Sequence, residues 1–157
     1  MIKIILSILI VACSSYIGWG VQKYYKNRIT FYENLDNLLH FAMNNICFYK
    51  DDINTILTNY IKTSNDSKHL KSIIMSVVND KSNFDTVVIK KEEKQLLLNI
   101  FNYLGKSDSE NQIAGLTNFS KQVQFVLNKC REEYNNLGKI STKLGVLFGI
   151  ALAICLL

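Results

Sequence analysis

Two stretches without a charged residue, one near each end of the chain, place the strongest constraint on the fold. The first run, Ile4 to Val21, has 18 residues, and the second, Leu144 to Leu157, has 14. A helix of 18 residues is about 27 Å long, close to the hydrocarbon thickness of a bilayer. The second run reaches that length only if it begins near Ile140 and Lys143 extends to the interface. We therefore predict membrane-embedded helices over residues 1–21 and 140–157, separated by a domain over residues 22–139.

Composition favours long, uninterrupted helices. The 157 residues include no proline, the residue that most strongly breaks a helix, and only seven glycines. The four cysteines are too sparse for a disulfide scaffold, and no two of them form a C-x-x-C pair, so we expect no zinc or iron–sulfur site. They are Cys13, Cys47, Cys130 and Cys155. We predict an all-α fold, a membrane-anchored antiparallel helical bundle.

Basic residues near the two apolar runs predict the orientation of the chain. Lys23, Lys26 and Arg28 follow the first run, while Lys129, Arg131, Lys139 and Lys143 precede the second. Basic residues beside a span usually remain in the cytoplasm, so we expect the central domain in the cytosol and both termini outside. The net charge of +5 is then largely juxtamembrane and faces anionic lipid. We expect no nucleic-acid partner.

An alternative interpretation concerns Cys13. The sequence Ile10-Val11-Ala12-Cys13 follows a short segment that begins with Lys3, and it resembles the cleavage site of a bacterial lipoprotein. In that case Cys13 would carry a lipid, and the remainder would be an extracellular helical binding module. The apolar run continues beyond Cys13 and a second run follows at the other end, which favours the two-helix arrangement.

Two apolar stripes predict how the central helices pack. The first follows a spacing of three and four residues and includes Leu35, Leu39 and Ile46. A second stripe with the same rhythm includes Leu116, Leu127 and Leu137 and continues toward the terminal apolar run. We expect these two core stripes to pack against each other in antiparallel fashion. One continuous helix then extends from the bundle into the membrane, with Gly138 as its weakest point because glycine disfavours helix.

The sequence indicates a turn between two central helices and no catalytic motif. Gly105 suits the end of a helix, and Ser107 with Glu110 forms a capping box for the next one. A phosphate-binding loop is excluded because Ile100 stands where that motif needs a glycine. The pairs Glu92-Glu93 and Glu132-Glu133 indicate solvated helix faces, and residues 79–88 indicate a loop. We expect no enzyme, no cofactor, no metal and no small-molecule substrate.

The same turn carries a resemblance to a known family. Leu104, Gly105, Ser107, Asp108, Gln112 and Leu116 resemble the L-G-x-S-D-x-x-x-Q-x-x-x-L pattern of stage III sporulation protein AB. The terminal Lys143-Leu144-Gly145-Val146-Leu147-Phe148-Gly149 is similar to the family's second span, and the resemblance extends over essentially the whole chain. The sequence departs from the family near Asn45, where members usually carry an acidic residue, and it lacks their T-P-L turn and central tryptophan.

The resemblance implies a function and partners. The family is similar to the cytosolic helical domain of type II secretion inner-membrane platform proteins. It implies a role in assembling the channel between mother cell and forespore, in the outer forespore membrane of the mother cell. It also implies contact with a cytosolic secretion-type ATPase and with other channel proteins. Gly105, Ser107, Asp108 and Gln112 would then form either a structural turn or a contact with a partner.

Overall fold

The computed structural model describes residues 2–48, 52–64, 68–79, 89–104 and 109–156. Of these residues, 95% are helical, and none lies in a strand. The elements are α1 (Ile2–Phe48), α2 (Ile53–Thr63), α3 (Lys68–Val78), α4 (Lys91–Tyr103), α5 (Ser109–Glu133), a π-helical segment (Tyr134–Gly138) and α6 (Lys139–Leu156). The predicted all-α fold with an apolar helix at each end is confirmed.

Local hydrogen bonds explain where the shorter helices begin and end. The carboxylate of Asp52 accepts a hydrogen bond from the Asn54 backbone N–H at 3.2 Å, which caps the start of α2. At the other end of α2, the Ser64 N–H donates to the Tyr60 carbonyl at 2.8 Å. The Glu93 carboxylate accepts from the Lys90 N–H at 3.1 Å and so satisfies a free donor before α4. The predicted loop over 79–88 lies almost entirely outside the described residues.

Two helical stretches are long and apolar enough to cross a membrane, Ile5–Phe48 and Glu110–Cys155. Only 11% and 17% of their most apolar windows are buried within the protein. A core helix of a soluble domain would bury such residues, whereas here large apolar side chains such as Ile17, Leu147 and Phe148 are exposed. A hydrocarbon environment would satisfy this exposed surface.

The chain forms two compact units. Unit 1 contains Met1–Ile29 and Asn128–Leu157, and unit 2 contains Thr30–Leu127. The sequence predicted boundaries after residues 21 and 139 between membrane-embedded and cytosolic parts of the chain. These boundaries describe a different property from the division into compact units, and they stay a prediction.

Unit 2 has the hydrophobic core of a helical bundle. Its fully buried side chains come from every helix of the unit, and they include Leu35, Ile56, Ile74, Leu97 and Leu116. The α1 portion packs antiparallel to α5, because Asp36 contacts Ser120 and Gln124 whereas the later Met43 contacts the earlier Thr117. The predicted antiparallel pairing of these two helices is therefore present in unit 2.

Unit 1 is a pair of antiparallel helical segments. Ser14 contacts Gly145, Gln22 contacts Thr142, and Arg28 contacts Glu133, so positions later in α1 meet positions earlier in the partner segment. The partner segment runs from the end of α5 through the π-helical segment into α6 without a break.

Candidate functional site

Small residues bring the two helices of unit 1 into close contact. Ser14 and Gly18 lie on the inner face of α1, and Ser141, Gly145 and Gly149 repeat at intervals of four along α6. A side chain added at Gly18 would place its Cβ 2.7 Å from the Ser141 carbonyl oxygen, and one added at Gly145 would lie 2.7 Å from the Ser14 carbonyl oxygen. The backbones themselves are therefore in contact, as in tightly packed membrane helices.

Hydroxyl groups add hydrogen bonds to this contact. The Ser14 hydroxyl donates to the Gly145 carbonyl at 2.6 Å across the two helices. Thr142 donates to the Gln22 side-chain oxygen at 2.9 Å, and the Gln22 amide donates to the Tyr134 hydroxyl at 3.3 Å. Gln22 thus connects α1 to both α6 and the π-helical segment.

A buried ion pair lies next to this polar layer. Arg28 is fully buried in α1, and its guanidinium donates to the carboxylate of Glu133 at the end of α5. The Glu133 side chain retains 18% of its exposure. Removal of charges from water is costly, and the close pairing of Arg28 with Glu133 offsets part of this cost.

The core of unit 2 contains a second buried carboxylate. The Tyr32 hydroxyl donates to Glu93 at 2.7 Å, and this same carboxylate oxygen accepts the Lys90 N–H. At the edge of the core, Asp36 accepts from the Ser120 hydroxyl at 2.6 Å and from the Gln124 amide at 3.2 Å. These bonds tie α1 to α4 and to α5.

The residues of the predicted turn have different outcomes. Gly105, Ser107 and Asp108 lie outside the described residues, so their role as a turn or partner contact stays a prediction. Gln112 is 5% exposed, and its amide nitrogen makes no hydrogen bond within the described part of the chain. A buried amide without a hydrogen-bond partner is costly.

Five of the six residues of the predicted core stripes are buried in the structure, and the sixth requires a correction. The buried residues are Leu35, Leu39, Ile46, Leu116 and Leu127. Leu137 is 53% exposed. It lies in the π-helical segment, whose wider turn holds an extra residue and so changes which residues face α1. Gly138 takes the inward position instead.

Glu93, Glu133 and Arg28 are structural residues that the sequence analysis missed. The two glutamates were expected on solvated helix faces, and that expectation is wrong for Glu93, which is buried, and for Glu133, which is paired with Arg28. The sequence signal for their burial is their helical spacing from residues of the core. Arg28 lies four residues before Tyr32, Glu93 four before Leu97, and Glu133 three after Cys130, and all three reference residues are buried.

Within the described residues, no group of three or more His, Cys, Asp or Glu side chains could hold a metal ion. The arrangement instead defines a class: an all-α protein in which a closely packed helix pair of membrane-spanning length is joined to a helical bundle. Comparison with known protein families identifies the family of the chain. The chain belongs to the stage III sporulation protein AB family, whose model matches residues 63–157. Neither a curated protein nor a solved structure gives a match.

Proposed function

We propose that this protein is a membrane platform component of the channel between mother cell and forespore, and that its helical domain docks a secretion-type ATPase. The observation that carries the proposal is the family match over residues 63–157 in a chain with two helices of membrane-spanning length. The family gives a sporulation role, and the two helices fit a component of a membrane complex. The ATPase is proposed as the partner because the sequence resemblance implies a similarity of the family to type II secretion platform proteins.

Charge distribution supports the proposed topology. Unit 1 contains eight lysine and arginine residues and only two acidic residues, Glu132 and Glu133. Seven of the eight basic residues lie between the two apolar runs. Since basic flanks stay cytoplasmic, residues 22–139 are proposed to lie in the mother-cell cytosol, with the two helices in the outer forespore membrane.

Phe125 is a candidate contact for the ATPase. It is 74% exposed on the outer face of α5, and Lys121 and Lys129 lie one turn away on either side. An exposed aromatic ring flanked by charges on a regular helix has no role in the core of unit 2, and aromatic residues are enriched at protein interfaces. We therefore assign the docking surface to the face of α5 that carries Phe125.

Cysteine labelling tests the topology. Cys47 is exposed in unit 2, so a variant that keeps Cys47 and replaces the other three cysteines with serine carries one reporter. A membrane-impermeant maleimide should label this variant only after cells are permeabilised. The matched control carries a single cysteine added after Leu157. Both variants are produced in vegetative cells, where the far side of the membrane faces the medium and the control should be labelled in intact cells. Labelling of Cys47 in intact cells would contradict the cytosolic placement and favour an extracellular domain.

Co-purification tests the partner. The full-length chain, solubilised from membranes of sporulating cells, should retain the ATPase, and Phe125→Ala should lose it while its circular dichroism stays unchanged. Met75→Ala is the control, because Met75 is also apolar and 52% exposed but lies on α3. If the ATPase is absent from the wild-type complex, docking is refuted. If Phe125→Ala retains it, the α5 face is not the docking surface.

A further inference from the structure

A cavity with a basic and aromatic lining lies in unit 1, just beyond the apolar run of α1. It has a volume of about 370 Å³ and is lined by Trp19, Gln22, Lys23, Lys26, Asn27 and Tyr134. Five of these residues come from one face of α1, at positions i, i+3, i+4, i+7 and i+8 from Trp19, and Tyr134 comes from the π-helical segment. We propose that this cavity binds the headgroup of one anionic phospholipid, an inference that rests on the membrane placement proposed above.

The position of the cavity along α1 matches the depth of lipid phosphates. The apolar run ends at Val21, and Trp19 belongs to the residue type that prefers the interface. The rise from Trp19 to Lys26 is about 10 Å at 1.5 Å per residue, so the cavity extends from the end of the hydrocarbon region across the headgroup layer. A ligand with a phosphate and two acyl chains fits this position because its chains continue into the bilayer.

The lining has the chemistry for a phosphate. The Lys23 ammonium lies 5.1 Å from the centre of the Trp19 ring, and both residues line the cavity. Cation–π contacts of this kind hold a lysine beside a cavity without neutralising its charge. Of the two acidic residues in unit 1, Glu133 is paired with Arg28 and Glu132 is exposed, and neither lines the cavity. The cavity therefore presents the Lys23 ammonium with no carboxylate among its lining residues.

Hydrogen bonds within the protein hold the walls of the cavity in place before any ligand binds. Gln22 donates to the Tyr134 hydroxyl and accepts from Thr142, which joins α1 to the opposite wall. The π-helical turn directs Tyr134 toward α1, and such turns are frequent at functional sites. A wall held in place before binding lowers the entropic cost of binding.

Trp19 makes the proposal directly measurable, because it is the only tryptophan in the chain. Full-length protein is reconstituted in vesicles of phosphatidylcholine and phosphatidylglycerol, and the acyl chains of one lipid or the other carry bromine, which quenches tryptophan. At equal mole fractions, brominated phosphatidylglycerol should quench Trp19 more strongly. A lysine at a membrane surface strengthens binding of anionic lipid by about fivefold, so we expect a preference of at least that size.

Two double variants separate the cavity from general surface charge. Lys23→Gln/Lys26→Gln should reduce the preference to about one, whereas Lys129→Gln/Lys143→Gln should keep it. Both pairs lie in unit 1 and remove the same charge, but Lys129 and Lys143 do not line the cavity. An equal loss in both variants would overturn the proposal in favour of diffuse attraction, and so would equal quenching by the two lipids in the wild-type protein.

The remaining outcomes distinguish the source of the phosphate and the membrane placement. If inorganic phosphate at millimolar concentration removes the preference, the cavity is a site for free anions and the lipid proposal is overturned. If neither brominated lipid quenches Trp19, the residue is not in the bilayer, and the membrane placement fails together with the lipid site. Quenching without preference refutes the lipid site alone.

Discussion

Gly18→Ala tests whether the two helices of unit 1 pack backbone to backbone. The added Cβ would lie 2.7 Å from the Ser141 carbonyl oxygen and 3.1 Å from the Thr142 Cα. Ordinary contacts of a Cβ begin near 3.4 Å, and both neighbours are backbone atoms that cannot rotate away. The helices must therefore separate, which also weakens the 2.6 Å hydrogen bond from Ser14 to the Gly145 carbonyl.

Two opposing terms set the magnitude. Replacing glycine by alanine inside a helix stabilises it by about 1 kcal/mol, while overpacking a close contact costs about 1–3 kcal/mol. Gly20→Ala isolates the steric term, since a Cβ at Gly20 meets nothing within 4 Å. Both glycines are next to Trp19 in the same helix, so each substitution should gain the same free energy from helix propensity. We expect Gly18→Ala to be less stable than Gly20→Ala by about 1–3 kcal/mol.

Unfolding in mixed micelles measures this difference. The full-length variants are titrated with sodium dodecyl sulfate in a mild detergent, and Trp19 fluorescence reports separation of the helices while circular dichroism reports helix content. Gly18→Ala should lose its Trp19 signal at a lower dodecyl sulfate fraction than Gly20→Ala, with helix content unchanged. Equal midpoints for the two variants would refute close packing at Gly18.

Three further predictions concern the ion pair, the core and the turn. Arg28→Leu should remove the ion pair with Glu133 and destabilise unit 1 by at most about 3–5 kcal/mol, and a Glu133→Gln background should reduce this loss, as a double-mutant cycle measures. Leu127→Asp should unfold the protein in thermal circular dichroism, since an unpaired buried charge costs several kcal/mol, whereas Phe125→Asp on the exposed face should not. Asp108→Asn should remove less than about 1 kcal/mol of stability if it acts only on a helix end, so loss of sporulation with the fold intact would assign it to a partner.

Periodicity and charge predicted most of the fold. The apolar stripes identified the α1 and α5 residues that pack in unit 2, including Leu35 and Leu116, because three-four spacing is a direct consequence of 3.6 residues per turn. The charge-free runs identified the two apolar helices because the thickness of a bilayer sets a minimum length for a helix that spans it. Both signals depend on many residues at once and tolerate a single exception.

The buried polar pairs are a different case. A charged residue at an inward position interrupts the apolar three-four spacing and so predicts solvent exposure. A single sequence also does not show which opposite charge lies across from it in the fold. Arg28 and Glu133 are 105 residues apart, and Tyr32 and Glu93 are 61 apart. Their pairing follows from tertiary register, which only the packed helices define. The glutamates were therefore assigned to solvent, because carboxylates are almost never buried unless paired.

The error at Leu137 has its physical origin in the π-helical segment. An α-helix advances about 100° per residue, so a turn with one extra residue rotates every later side chain relative to the regular pattern. Before the π-helical segment, Cys130 is buried and Glu133 contacts Arg28 of α1; at the end of the segment Gly138 is buried, and Leu137 turns outward. Without the extra residue, the three-four spacing of α5 would place Leu137 against α1. At the inward position of this segment, Tyr25 and Tyr134 leave room only for a glycine. The π-helical turn thus allows one continuous helix to change from large side chains to small ones while it stays against α1.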